Sequence, residues 1–237
     1  MDKKWSVRLI GERFDLEDLP RWFNSNDEIN VTTETGNFFL NSDTFKHDDD
    51  YNTIVQKAEA IIIFINGISR IKRNNFKPIF TWSVISTDHD GAQSTWMPLN
   101  MNLVVRDKVY LETDRGTSVC SLSELIKNNE ETTALIISEV IRLWGNEPHN
   151  WSNFYKIIET ITKNDSRKEI LFKEGIITRE KYNLLRQTAN SYEASGNQAR
   201  HAKGAHKTPP KPMQLHEAEQ IMHSMIKSWL DYKGFSI

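Results

Sequence analysis

The sequence predicts an α+β chain in two parts: a split βαβ-like sandwich over residues 1–120, then an antiparallel helical bundle over 121–237. Three observations carry this expectation. Up to about residue 114 the spacing of apolar residues switches repeatedly between a period of two and a helical period. From residue 121 only the helical period persists. The polar stretch Lys127–Glu131 lies near that change and marks the boundary region.

In the first part, Trp5, Val7 and Leu9 alternate along "WSVRLI", which reads as a strand with one buried face. "DLEDLPRWF" reads as a short helical turn. "INVTTET" and "NFFLNS" are strands that meet at Gly36, where a tight hairpin is expected. Ile54, Val55, Ala58, Ile61, Ile62 and Ile65 then form a helical stripe. Acidic residues at its start suit the positive end of the helix dipole, and Asn66-Gly67 is expected to close it. "PIFTWSVIS" returns to strand, and "MNLVV" and "VYLET" are expected to pair across Arg106-Asp107-Lys108. This order matches a split βαβ unit with an added hairpin.

The second part opens on a capping box, Ser121 to Glu124. Its stripes are Ala134, Ile137, Ile141 and Trp144; Trp151, Phe154, Tyr155, Ile158 and Ile161; and Tyr182, Leu185, Ala189 and Tyr192 behind a Thr178 cap. The last, Leu215, Ala218, Met222, Met225, Trp229 and Tyr232, alternates steps of three and four. Amphipathic helices with short connections predict a bundle.

Composition narrows the function classes. The 237 residues are 38% hydrophobic and 26% charged, ordinary for a folded domain, and the formal charge of −2 gives no global basic signature. Any nucleic-acid contact must therefore come from a local patch. The single cysteine, Cys120, excludes an intrachain disulfide or a thiolate metal cluster and reads as a packing residue. The first residues lack the apolar run of a signal peptide, and the longest apolar stretch, "AIIIFI" at 60–65, is far too short to span a bilayer. A cytoplasmic protein without a membrane partner is expected.

Several polar groups have simple structural readings. Asp48, Asp49 and Asp50 open a helix; "TDHDG" at 87–91 is a polar loop without the distal glutamate of a calcium loop. His47, His149, His216 and His223 are expected at the surface. Trp82 and Trp96 read as packing residues rather than stacking platforms for bases. No Gly-rich phosphate loop, zinc-ligand spacing or nucleophile elbow is present, so neither metal nor cofactor is expected.

One stretch stands apart. "ARHAKGAHKTPPKPM", residues 199–213, carries Arg200, His201, Lys203, His206, Lys207 and Lys211 with no carboxylate. "KTPPKPM" cannot be helical, because each proline removes an amide donor and restricts the residue before it. Arginine offers a planar fork to phosphate oxygens at any working pH, and histidine moves a proton near neutrality. Together they suffice for metal-free cleavage of RNA, in which the ribose 2′-hydroxyl attacks the neighbouring phosphate. These residues alone leave open a catalytic loop, a binding surface or a merely solvated connection.

Arg200-His201-Ala202-Lys203-Gly204-Ala205-His206 resembles the signature of the HEPN superfamily: an arginine, often followed by a polar residue, then a histidine after four to six others. Here five intervene. The resemblance covers about residues 125–235 and implies a helical bundle with the motif before the last long helix. It implies a metal-independent endoribonuclease without cofactor, of the kind found among toxins and anti-phage defence effectors. It further implies a homodimer through the helical domain, an RNA substrate, and a possible antitoxin or sensor partner. On that reading Arg200 binds and polarises the scissile phosphate, His206 is general base or acid, His201 orients the site or contacts RNA, and Lys203 and Lys207 attract phosphate. Other family members are inactive and serve as dimerisation or nucleotide-binding modules.

Overall fold

The computed structural model describes residues 4–24, 28–46, 50–97, 131–146, 149–164, 168–200 and 207–235. The expected hairpin at 101–113, the Ser121–Glu124 capping box and the boundary at residue 120 lie outside them. The chain divides into two compact units, Met1–Asn66 with Phe76–Asn128 and Gly67–Asn75 with Asn129–Ile237.

The first unit is built on a five-stranded sheet. Its strands are β1 (Lys4–Ile10), β2 (Ile29–Glu34), β3 (Asn37–Ser42), β4 (Phe80–Thr87) and β5 (Gln93–Trp96), in the order β2-β3-β1-β4-β5. Val7 lies opposite Leu40 on one side and Val84 on the other, and all three are fully buried. Every pairing among the described residues is antiparallel. The split βαβ expectation holds in this sheet: β3 and β4, joined through the helix Tyr51–Lys72, run in the same direction, and β1 is inserted between them and runs against both.

The β2–β3 hairpin forms where expected. Thr35 and Gly36 have φ of 47° and 78°, and Glu34 pairs with Asn37. Two successive positive φ values give the mirror-image turn whose twist matches the strands. "DLEDLPRWF" supplies two single turns, α1 (Arg13–Leu16) and α2 (Leu19–Trp22). The Trp96 ring lies 5.6 Å from Trp5 and 5.9 Å from Tyr51, while Trp82 receives the Arg8 guanidinium at 5.9 Å. Residues 88–92 form the turn into β5: Asp88 N donates to Ala92 O at 2.9 Å, and Gly91 takes φ of 84°.

The long helix α3 (Tyr51–Lys72) begins at Asp50, whose Oδ2 accepts from Thr53 N and Oγ1, both at 2.9 Å. The bond from the Thr53 backbone, with that from its hydroxyl, holds the Asp50 carboxyl below its usual range. The helix does not stop at Asn66-Gly67 as expected; burial continues through Ile68 and Ile71. The pair serves packing. Asn66 Nδ2 donates to Ile79 O at 3.1 Å and its Oδ1 accepts from Ile79 N at 2.9 Å, both within the first unit.

The second unit contains α4 (Glu131–Gly145), α5 (Trp151–Asn164), α6 (Glu169–Lys173), α7 (Arg179–Asn190), α8 (Tyr192–Ser195) and α9 (Leu215–Tyr232). Helix α4 packs on α5, and α5 on α7. The expected stripes supply the core: Ile137, Ile141 and Trp144; Phe154, Ile158 and Ile161; Leu185 and Ala189; Met222, Met225 and Trp229 are all buried. Thr178 caps α7, its Oγ1 accepting from Lys181 N at 3.3 Å. Tyr192 and Tyr232 leave their stripes and are 37% and 46% exposed. The extended backbone at Ser191 puts Tyr192 out of helical register, and Tyr232 is the last residue of its helix. No described helix is long and apolar enough to cross a membrane.

Two histidines expected at the surface are built in. His149 Nδ1 lies 2.7 Å from Glu219 Oε1, and its Nε2 lies 2.7 Å from Trp144 O and 2.8 Å from Arg70 Nη1. Its ring stacks 4.3 Å from Trp144. His223 Nε2 lies 3.0 Å from Ile71 O. Polar sequence neighbours do not reveal this, because an imidazole buries its ring while its nitrogens find partners far along the chain. His216 is exposed, and His47 lies outside the described residues.

Candidate functional site

The basic stretch is fastened on both sides to the end of α7. Arg200 N donates to Ala189 O at 3.1 Å. On the far side, Thr208 Oγ1 lies 2.7 Å from Ser191 Oγ, and Met213 N donates to Thr188 Oγ1 at 3.1 Å. Thr188 is fully buried, so Met213 N finds its acceptor inside the unit rather than in water. Glu193 Oε2 accepts from both Ser191 Oγ, at 3.3 Å, and Thr208 Oγ1, at 3.4 Å. Prolines set the path of 209–212, and these bonds fix where it returns.

Of the five residues expected to carry chemistry, two are described. Arg200 is at the surface with its fork partly engaged, and Lys207 is exposed. His201, Lys203 and His206 lie outside the described residues.

The Arg200 guanidinium lies 4.3 Å from the centre of the Tyr155 ring. Its Nη2 is 3.0 Å from Glu159 Oε1, and its side chain is 40% exposed. The ring holds the guanidinium by cation–π attraction, and the carboxylate takes one edge of its fork. Among the described residues, no other carboxylate pairs with its remaining N–H groups. Beside this pair is a cleft of about 530 Å³ between α5, α6 and α7. Tyr155, Glu159, Lys163, Lys168, Tyr182 and Arg186 line it.

Sequence reasoning missed the cleft. It assigned Tyr155 and Tyr182 to core stripes, and they are indeed buried, but both also present an edge to the cleft. Arg186 Nη2 lies 3.5 Å from the Tyr155 hydroxyl, and its guanidinium lies 5.9 Å and 5.5 Å from the Tyr155 and Tyr182 ring centres. Burial raises the Tyr182 phenol above its usual range, so its hydroxyl stays protonated at neutral pH. The bond to Tyr155, ahead of burial acting in the opposite sense, keeps Arg186 firmly charged. A signal was available: Tyr155, Glu159 and Lys163, like Tyr182 and Arg186, recur at steps of four and so share a helix face.

Asn190, at the end of α7, adds a buried Oδ1 with no hydrogen-bond partner among the described residues. No family model matches the chain, and no curated protein or solved structure matches it.

Proposed function

We propose that the second unit is a HEPN-like bundle that binds RNA at Arg200–His206 and cleaves it without a metal ion. One observation carries this reading: Arg200 and Thr208 are both tied to Thr188–Ser191, so the basic segment starts and ends at one helix end. Holding both ends of the segment at one place is what positioning a base beside a phosphate-binding arginine requires.

The chemistry balances with side chains alone. His206 takes the proton of the ribose 2′-hydroxyl, and that oxygen bonds to the adjacent phosphorus. Arg200 stabilises the charge gathering on the phosphate oxygens. The bond from phosphorus to the 5′ oxygen breaks, and a protonated histidine, His201 or the His206 of a second copy, returns a proton to the leaving oxygen. The products are a 2′,3′-cyclic phosphate and a 5′-hydroxyl end. DNA lacks the attacking hydroxyl and is not a substrate. A homodimer bringing two motifs together in the cytoplasm, held in check by an antitoxin or sensor, is the setting that the resemblance supplies.

A second reading, an RNA-binding or dimerisation module without cleavage, is favoured by the Arg200–Glu159 pair, which leaves the arginine partly neutralised. The test is incubation of a mixed labelled RNA pool in EDTA with the wild-type chain and with His206→Ala, after circular dichroism has shown both folded. Cleavage lost in the variant supports the nuclease. Equal cleavage by both removes His206 from the mechanism; binding without cleavage by either selects the second reading.

A further inference from the structure

The cleft beside Arg200 carries an inference of its own, drawn from how its charges are paired. Two lining residues are carboxylates, Glu159 and Glu169. Each is taken by an arginine that does not line the cleft: Arg200 lies 3.0 Å from Glu159, and Arg179 pairs with Glu169 through both nitrogens of its fork. Three lining residues are cations, Lys163, Lys168 and Arg186. Among the described residues, the cleft therefore has three positive charges that no carboxylate pairs.

The cations differ in a useful way. Lys163 and Lys168 are exposed. Arg186 is half-buried and held against Tyr155 and Tyr182, so its planar fork is oriented before any ligand arrives. A volume of about 530 Å³ is of the size that takes a small molecule or the end of a strand. An internal phosphodiester brings a single negative charge. A terminal phosphomonoester brings about −1.5 to −2 at neutral pH, a better match to an arginine flanked by two lysines.

We propose that this cleft binds a terminal phosphate, either on a free 5′-mononucleotide or at the 5′ end of an RNA strand, with Arg186 as the oriented anchor and Lys163 and Lys168 as its charge partners. The site does not depend on RNA cleavage by this chain.

The test uses 3′-fluorescein 2′-O-methyl RNA decamers, which lack the attacking hydroxyl and cannot be cut by the reaction above. Anisotropy compares 5′-phosphorylated and 5′-hydroxyl forms on the full chain at low salt, with 5′-AMP and adenosine as unlabelled competitors. Calorimetry of 5′-AMP and adenosine runs in parallel. If the strand end is the ligand, the phosphorylated decamer binds about tenfold tighter or more. If the free nucleotide is the ligand, 5′-AMP binds and adenosine does not, without a difference between decamers. In either case the phosphate preference falls by about tenfold or more in Arg186→Met and in Lys163→Gln/Lys168→Gln, but not in the exposed control Lys227→Gln. The double variant replaces only surface side chains, so it reads the site even if Arg186→Met is unstable. Absence of any phosphate preference overturns the proposal. So does a preference that survives removal of the two lysines.

Discussion

Arg200 and Glu159 form an ion pair, Nη2 to Oε1 at 3.0 Å, with side chains 40% and 27% exposed. The carboxylate thus occupies an edge of the fork that a phosphate would use. A pair this open to water stabilises the fold by only about 0–1 kcal/mol. A phosphate offering charge-assisted bonds in good geometry exceeds that. On the proposed function, Glu159 would therefore be a competitor that RNA displaces rather than a permanent block.

Replacing Glu159 with Gln should tighten RNA binding by up to about fivefold at low salt, the equivalent of the pair's strength. The gain should shrink as salt screens the original pair. Unfolding stability should change by less than about 1 kcal/mol. A salt series of anisotropy titrations on uncleavable RNA reads this directly. Unchanged affinity at every salt concentration would separate Arg200 from RNA binding.

Tyr182 makes a prediction about alkaline pH. Burial raises its phenol pKa in the folded chain, so the folded state holds that proton more tightly than the unfolded state does. The resulting stability is fully present below the unfolded value, about 10, and is lost as pH rises through the folded value. Ultraviolet titration of tyrosinate should show a late-ionising group that is absent in Tyr182→Phe. The variant should also lose less stability between neutral pH and the alkaline range. Loss in the variant of an ionisation in the ordinary tyrosine range, with the late one retained, would mean that Tyr182 is open to water.

Much of the second unit was legible because its helices bury one face each, and burial at steps of three and four is written directly in residue type. Ile137, Ile141, Trp144, Met222, Met225 and Trp229 all lie where their spacing put them. The cleft was not legible, since Tyr155 and Tyr182 satisfy a core stripe and line a ligand-sized space at once. In the sheet, alternation revealed the buried faces of Trp5, Val7 and Leu9, and the order of elements revealed the split βαβ unit that sets β1 between β3 and β4. His149 was misread because its partners, Arg70 and Glu219, are distant in sequence. Asn66-Gly67 was misread because its local preference for ending a helix is weaker than the packing that each residue permits.

Asn66→Leu tests the first half of that pair. Asn66 both donates to and accepts from the Ile79 backbone, and it is 4% exposed. Leucine keeps the bulk and leaves the Ile79 N–H and carbonyl without these partners. At about 1–3 kcal/mol for each buried group left unsatisfied, the loss for the two should be about 2–6 kcal/mol. Urea denaturation followed by circular dichroism should show a lower midpoint. No change would mean that water already serves the Ile79 backbone.

Gly67→Ala tests the other half and sets two effects against each other. Gly67 is helical and buried, and exchange for alanine should by propensity alone stabilise a helix by about 1 kcal/mol. A Cβ at this position would fall 2.2 Å from the Ile141 carbonyl oxygen and 2.8 Å from Ile141 Cγ2, both within the second unit. The side-chain atom can turn away; the carbonyl belongs to the α4 backbone and cannot yield without moving the helix. Overpacking of this kind costs about 1–3 kcal/mol, and a backbone obstacle belongs at the upper end. The net result should be a fall in the urea midpoint, steeper for Gly67→Ser, which adds an oxygen to the same space. A rise in stability for both variants would show that α3 and α4 do not approach this closely, and that glycine at 67 reflects no packing need.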